Sequence, residues 1–412
     1  MKIGKHLITL SLITFTLITS VTLLGFTFAP KLDNAKEIKI AVAAPLTGPL
    51  AAFGEKIKRG AELKAKEINA AGGVNGQTLT IIFEDDAGKD KEASSIAKRI
   101  ATNRSILAVV GHFNSSCTLA GKSIYKRAGI VVLSPSSPNA QVCVGSEWTF
   151  RNSYCNHFQG ALAAKHIKNV LGNLQKIAIF FDNDDYGRRL KDGFTDAAKG
   201  LGLEIVATEA YNRDNTDFRA QLISVKAKHP DLIFISGLHS HAGLIVAQAR
   251  KAGITTPLFS ADGVDSPDFL EIAGDAAEGV YVSTPFTFEL GGTKAQKMAM
   301  TFEEEYGVAP NAWAALTYDS VGMIAEAIEK GGENRKAIRD YLAGISTPEE
   351  GYVGVTGLTY FDEHGACVKP AAVKTSVKIV RDNTFIPIDD PMLDIGIVRG
   401  LITAQHHPYK NW

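Results

Sequence analysis

The sequence predicts an α/β protein built as two units, each a parallel sheet covered by helices. Short β-branched runs alternate with helix-period segments from residue 38 onward, and the same alternation restarts after Arg151. The length of 412 residues also exceeds what one core usually supports, so two domains of roughly 150–200 residues each are expected. Hydrophobic residues at 45% and charged residues at 21% are ordinary for a globular chain.

The first segment reads as an address. Lys2 and Lys5 precede the apolar stretch 7–29, which holds no charged residue, and this is the pattern of a secretory signal peptide. At about 20 residues the stretch is long enough to span a bilayer, so an uncleaved N-terminal anchor is the rival reading. Six threonines lower its hydrophobicity, and Phe26-Thr27-Phe28-Ala29 is a poor small-residue cleavage site. No Cys lies there for a lipid anchor. The body of the protein is expected outside the cytoplasm, periplasmic and soluble.

A strand is expected over 38–44, then a helix over 55–71 with Ile57, Ala61, Ala65 and Ile68 on one face. Gly72-Gly73 and Asn75-Gly76 end it and turn into a strand over 79–83. A helix follows over 89–102, aligning Ala93, Ile96, Ala97 and Ile100, then strands 107–111 and 130–134 with a helix between them. In the second half, strands are expected at 177–181, 203–207, 232–236 and 257–260, with helices from about Gly187, Asp217 and Ala242. Two more helices, 293–306 and 312–330, exceed what the second half needs and are expected to return to the first domain. Residues 389–412 have weak periodicity and read as a tail.

Forty-four Lys+Arg balance 44 Asp+Glu, which argues against a nucleic-acid binder and against an acidic disordered chain. Four Cys without a CxxC pair give neither a disulfide scaffold nor a zinc site. No GxGxxG, GxxxxGKS or GxSxG motif follows a predicted strand, so neither a cofactor nor catalysis is expected. His239 and His241 lack a ligand partner nearby and read as exposed loop histidines. Asp182-Asn183-Asp184-Asp185 lacks the remaining positions of a calcium loop, and Asp185 reads as a helix N-cap. The informative positions follow strand C-termini, where open α/β sheets bind ligands. His112 to Thr118 and Ser134 to Asn139 are hydroxyl-rich and suit a carboxylate, while Ser260-Ala261-Asp262-Gly263 offers an acid from the other unit. Together they would hold a zwitterion by its two ends, with aromatics over the aliphatic part.

Several runs carry a family resemblance: Ala44-Pro45-Leu46-Thr47-Gly48-Pro49 with Phe53-Gly54, then Ala71-Gly72-Gly73-Val74-Asn75-Gly76, then Val110-Gly111-His112 and Ser115-Ser116. Ser134-Pro135, Gln159-Gly160, Tyr186-Gly187, Gln248-Ala249-Arg250, Gly274 and Glu278-Gly279 continue in the same order. Over about residues 37 to 365 the chain resembles the type I periplasmic binding proteins, in particular the leucine/isoleucine/valine-binding group, the amino-acid receptors of ABC importers. The resemblance implies two Rossmann-like lobes joined by three crossovers near Arg151, Thr284 and Gly357. Lobe 1 would take 37–151 plus 285–357, and lobe 2 would take 152–284 plus 358–388. A monomer would close on its small-molecule ligand by hinge motion and deliver it to the permease subunits.

Carried over by position, Ser115 would bind the ligand carboxylate, and Ser136 and Ser137 would give a carbonyl to the ammonium and a hydroxyl to the carboxylate. Asp262 would pair with the α-ammonium, and Phe53, Tyr186 and Trp313 would contact the side chain. Some positions depart from the family. Pro138 falls where a hydroxyl residue is usual, Leu238 replaces an aromatic that contacts the ammonium, and Asn156 replaces a common acid. Ala87 and Asn114 stand where the family has a disulfide. An amide, urea or organic acid is the alternative ligand, and the ectodomain of a membrane-tethered regulator is the alternative role. In an oxidising compartment, Cys143 would pair with Cys155 or with Cys117, while Cys367 has no obvious partner.

Overall fold

The computed structural model describes residues 33–288, 291–368 and 376–388; the expected leader and tail lie outside the described residues. The first sheet has five strands, β1 (Asp33–Ala44), β2 (Gln77–Asp85), β3 (Ile106–Gly111), β4 (Val131–Ser134) and β5 (Thr149–Arg151), in the order β2-β1-β3-β4-β5. Every neighbouring pair is parallel. The apolar run of β1 explains its central place. Ile38, Ile40, Val42 and Ala44 face one core and Ala41 and Ala43 the other, so both faces must be covered. Helices α1 (Ala51–Ala70), α2 (Asp90–Thr102) and α3 (Ser115–Ala128) supply that cover.

The second sheet repeats the pattern through α4 (Asn156–Asn169), β6 (Lys176–Asp182), α5 (Asp185–Gly200), β7 (Glu204–Tyr211), α6 (Arg219–Lys226), β8 (Leu232–Ser236), α7 (His239–Lys251), β9 (Leu258–Ser260), α8 (Pro267–Ala273) and β10 (Tyr281–Thr284). Helices α4 and α5 approach closely because glycines meet between them. A Cβ on Gly160 would lie 2.2 Å from the Phe194 nitrogen, and one on Gly193 would lie 2.6 Å from His157 Cα. No side chain fits at either position.

After β10 the chain returns to the first lobe, as the two surplus helices suggest. Helices α9 (Gly292–Tyr306) and α10 (Ala312–Glu326) dock on α1, where Lys66 pairs with Glu305 at 2.6 Å and the Tyr306 hydroxyl donates to the Arg59 carbonyl at 3.2 Å. Helix α10 is apolar around most of its circumference and is buried over residues 312–325. Helix α11 (Arg335–Gly344) ties to the same lobe through Arg335, which donates to the carbonyls of Ile106, Ala128 and Asn103.

Strands β11 (Tyr352–Gly354), β12 (Gly357–Phe361) and β13 (Cys367–Val368) form a small antiparallel sheet. It hangs on β5, because the Arg151 N–H donates to the Gly365 carbonyl at 3.0 Å and Phe361 packs edge-on to Phe150. The buried Asp319 carboxylate of α10 accepts both the Val355 and Thr356 N–H groups at 2.8 Å and fixes its turn. Segment 358–388, expected whole in lobe 2, therefore divides. Within it β14 (Ser376–Arg381) and β15 (Thr384–Ile388) extend the second sheet. They join antiparallel, through a two-residue turn in which Asp382 and Asn383 take φ of 50° and 57°. The second sheet is thus parallel at its centre and antiparallel at one edge.

Neither expected disulfide pair is present, since Cys117 and Cys155 are not bridged. Different elements draw the sulfurs apart. Cys117 on α3 lies 3.7 Å from the Asp90 carboxylate, the Cys143 thiol points at the Gly365 carbonyl, and Cys155 precedes α4.

Candidate functional site

Loops at the C-terminal ends of strands from both sheets converge on one small, partly open cavity of about 300 Å³. Its polar wall comes from the first lobe. Asn114 is the N-cap of α3, in extended conformation (φ −73°, ψ 139°), yet its side chain caps nothing. The first-turn amides of α3 thus lack the side-chain acceptor that an Asn N-cap usually supplies. Asn114 Oδ1 is itself buried without a protein partner. Ser115 lies beside it and its hydroxyl accepts from the Asn139 N–H at 3.2 Å. Ser136 also lines the cavity, with its hydroxyl donating to the Phe113 carbonyl at 2.9 Å.

Ser137 departs from its expected role. Its hydroxyl turns inward to the His112 carbonyl (3.1 Å) and the Thr118 hydroxyl (2.7 Å), and the residue is fully buried away from the cavity. The His112 carbonyl also accepts from Ser134 at 3.0 Å and from Ser136 at 3.4 Å and so gathers both hydroxyl-rich loops, while the Thr118 hydroxyl is the partner that Ser137 alone of the three finds. The His112 ring is fixed in turn between Asp86 (2.7 Å) and Tyr125 (3.0 Å).

The acidic wall comes from the second lobe. Asp262 opens a single 3₁₀ turn after β9 and is 3% exposed. Tyr186, in the first turn of α5, donates its hydroxyl to Oδ1 at 3.0 Å, and Gln159 of α4 donates Nε2 to Oδ2 at 2.6 Å. Burial pushes the Asp262 carboxyl up to about 7, against the pull of the Tyr186 hydrogen bond. The Tyr186 phenol is pushed well above its usual value by the same burial and by the charge of Asp262. Asp184, rather than Asp185, is the N-cap that sets this turn, accepting from the Tyr186 and Gly187 N–H groups at 3.0 and 2.7 Å. Gly263 completes the wall. A Cβ there would sit 2.7 Å from the Gly237 carbonyl and 3.0 Å from the Tyr186 hydroxyl.

Between these walls lie Phe113, Pro138, Leu238 and Trp313. Phe113 meets Trp313 edge to face at 5.5 Å. Phe53 does not reach the cavity; it stacks behind Phe113 at 4.8 Å and supports it. His239 is a buried residue, not the exposed loop histidine expected. It starts α7 and sets its ring against Phe53 of the other lobe at 5.0 Å. Of the nine candidate residues, seven therefore line one cavity: Asn114, Ser115, Ser136, Tyr186, Leu238, Asp262 and Trp313. Phe113 and Gly263 join them without having been assigned a role, and Gln159 stands one layer behind.

The lobes also touch through residues that do not line the cavity. Arg213 of lobe 2 donates to the Gly88 carbonyl of lobe 1 at 3.1 Å while paired with Asp184 at 2.9 Å, and Asn139 donates to the Asp185 carbonyl at 3.2 Å. No group of three or more His, Cys, Asp or Glu placed to hold a metal occurs among the described residues, so the Asp182–Asp185 run is not such a group. No described helix is long and apolar enough to cross a membrane. Chemically, the site sets uncapped amides and hydroxyls opposite a buried acid across an apolar gap.

The family profile described as periplasmic binding protein matches residues 37–376. The chain is 34% identical over 302 residues to an amino acid binding protein of Pseudomonas aeruginosa, covering 73% of this chain and 80% of that one. It is 31% identical over 342 residues to the leucine-, isoleucine-, valine-, threonine-, and alanine-binding protein of the same organism, covering 82% and 89%. Its fold is similar to LivJ, the branched-chain amino acid transporter substrate binding protein of Streptococcus pneumoniae, solved in complex with isoleucine. There the TM-score is 0.79 at 31% identity, covering 86% of this chain and 99% of that one. On profile, identity and architecture together, the chain belongs to the periplasmic binding protein family.

Proposed function

We propose that the protein is the extracytoplasmic receptor of an ABC importer, binding a neutral, branched-chain type amino acid between its lobes and delivering it to the permease. The observation that carries this reading is the pairing of Asp262 with the uncapped start of α3 across a small apolar cavity. An α-carboxylate would take the amides and hydroxyls at Ser115, and the α-ammonium would take Asp262. Leu238, Pro138, Phe113 and Trp313 would enclose an uncharged side chain. The names of the relatives point the same way, and export follows from the leader and the family. The protein would act as a monomer and turn nothing over.

A thermal-shift screen of L-leucine, L-isoleucine, L-valine, other amino acids, amides, urea and organic acids tests the reading. A true ligand at a hundred times its Kd adds about 2.7 kcal/mol of stability. Titration calorimetry should then return one site per chain. A response to plain carboxylates alone, with none to any neutral amino acid, would overturn the assignment.

A further inference from the structure

We infer that Gln159 is a positioning residue for the acid of the cleft, holding Asp262 in its ionised form and in one rotamer without touching the ligand. The inference rests on the functional reading above for its ligand, but not for its geometry. Gln159 is 5% exposed and is absent from the cavity wall, yet its Nε2 lies 2.6 Å from Asp262 Oδ2. With the Tyr186 hydroxyl on Oδ1 at 3.0 Å, each carboxylate oxygen has one side-chain donor, and the Gly263 N–H adds a backbone donor. Two side-chain donors on two oxygens fix the plane of the carboxylate. The orientation of the amide follows from charge, since only its NH₂ end can face an ionised carboxylate.

The location makes this contact more than local. Gln159 lies in the first turn of α4, directly after the crossover from lobe 1. Three residues earlier the Asn156 N–H donates to the carbonyl of Pro138, which lines the opposite side of the cavity. One residue later Gly160 packs without clearance on α5, the helix that carries Tyr186. One turn of α4 therefore registers the lobe 1 wall, Asp262 and the Tyr186 helix against each other. Gln159 Oε1 and both polar side-chain atoms of Asn156 are buried with no hydrogen-bond partner in the described structure. A donor to Asp262 is thus the one hydrogen bond found for the Gln159 side chain, which is why losing it should be felt at the acid.

The test uses Gln159→Met, near in shape and without a donor, and Gln159→Glu, which keeps the shape but brings a second carboxyl. Without ligand, the melting temperature of the intact protein is followed from pH 4 to 8, with Asp262→Asn as the reference that lacks the Asp262 step. The other groups facing Asp262 are the Tyr186 hydroxyl on α5 and Asp265 on its own turn, the latter paired with Lys378 of β14 at 2.7 Å. Both variants should move the step to higher pH by about one unit or more, the worth of a lost hydrogen bond to a charged group. With ligand, L-leucine should bind Gln159→Met roughly ten- to a hundredfold more weakly, while 4-methylpentanoate, which lacks the ammonium, should change less than about twofold. An unmoved step in both variants, or equal losses for the two ligands, would overturn the inference. If the wild type bound no amino acid, the functional reading would fall, and the ligand-free arm would still decide the role of Gln159.

Discussion

Lowering the pH from 8 to 5 should weaken amino-acid binding about a hundredfold, and the cause is one carboxyl. Asp262 has its pKa pushed up from 3.8 to about 7 in the unliganded protein, because burial penalises its charged form. Each unit is worth about 1.4 kcal/mol, so holding Asp262 ionised costs the folded protein on the order of 4 kcal/mol relative to the unfolded chain. The folded state binds this proton more tightly than the unfolded state. Stability therefore falls as pH rises from about 4 to 7 and is level above 7. A ligand ammonium beside the carboxylate reverses the preference and draws the pKa back down. Below pH 7 the ligand must first displace a proton, and its affinity should drop about tenfold per unit. Calorimetry at pH 5, 6, 7 and 8 at fixed ionic strength measures this directly, and buffers of different ionisation enthalpy report the proton released near pH 6. Asp262→Asn should abolish binding and the pH step together, and at pH 8 it should melt higher than the wild type. Asp182, at the C-terminal end of β6, is likewise pushed up to about 7 by burial and by Asp184. It adds to the slope of stability in the same direction, but it persists in Asp262→Asn, so the difference between the two proteins isolates Asp262. A constant affinity from pH 8 to pH 5 would refute the ammonium role.

Gly263→Ala should cost at least tenfold in affinity and also lower the melting temperature, because the new methyl would press on the Gly237 carbonyl at 2.7 Å as well as on the Tyr186 hydroxyl at 3.0 Å; calorimetry and thermal melts on one sample check both halves. Phe53→Ala should destabilise the protein by about 3–5 kcal/mol in urea unfolding, since its ring is buried between Phe113, Trp313 and His239. Arg213→Ala removes a hydrogen bond between the lobes. It should weaken binding severalfold through faster release in stopped-flow measurements and enlarge the radius of gyration in solution scattering.

The sheets were legible in the sequence because both faces of each central strand are buried. Runs such as 40–44 and 232–235 stay apolar throughout, and helices such as α2 keep a clear 3.6 period, with Ala93, Ile96, Ala97 and Ile100 buried on one face. The antiparallel edge was harder to see, since β14 and β15 are short and half-exposed. The polar ends of the cleft were legible for a related reason. Ligand sites of open sheets lie at strand C-termini, which are found once the strands are found. Asn114, Ser115, Ser136 and Asp262 all follow directly from β3, β4 or β9.

What the sequence does not carry is the direction in which equivalent side chains point. Ser136 and Ser137 are chemically identical neighbours whose hydroxyls both reach the His112 and Phe113 carbonyls, yet Ser136 lines the cavity while Ser137 is held behind it by the Thr118 hydroxyl, a partner from another segment. Phe53 and Phe113 divide in the same way into a support and a wall. Gln159 shows the limit most clearly. Its partner is 103 residues away, and along α4 it is one polar residue in a helix buried on nearly every side, so no periodicity marks it. The departures at Pro138 and Leu238 gain meaning from the same geometry. On the proposed reading they would remove polar or aromatic groups from the wall and so leave a ligand ammonium dependent on Asp262. A cleft resting on one acid, held by two donors from two helices, should respond to substitution at either donor, and Tyr186→Phe should therefore mimic Gln159→Met in the pH profile of binding.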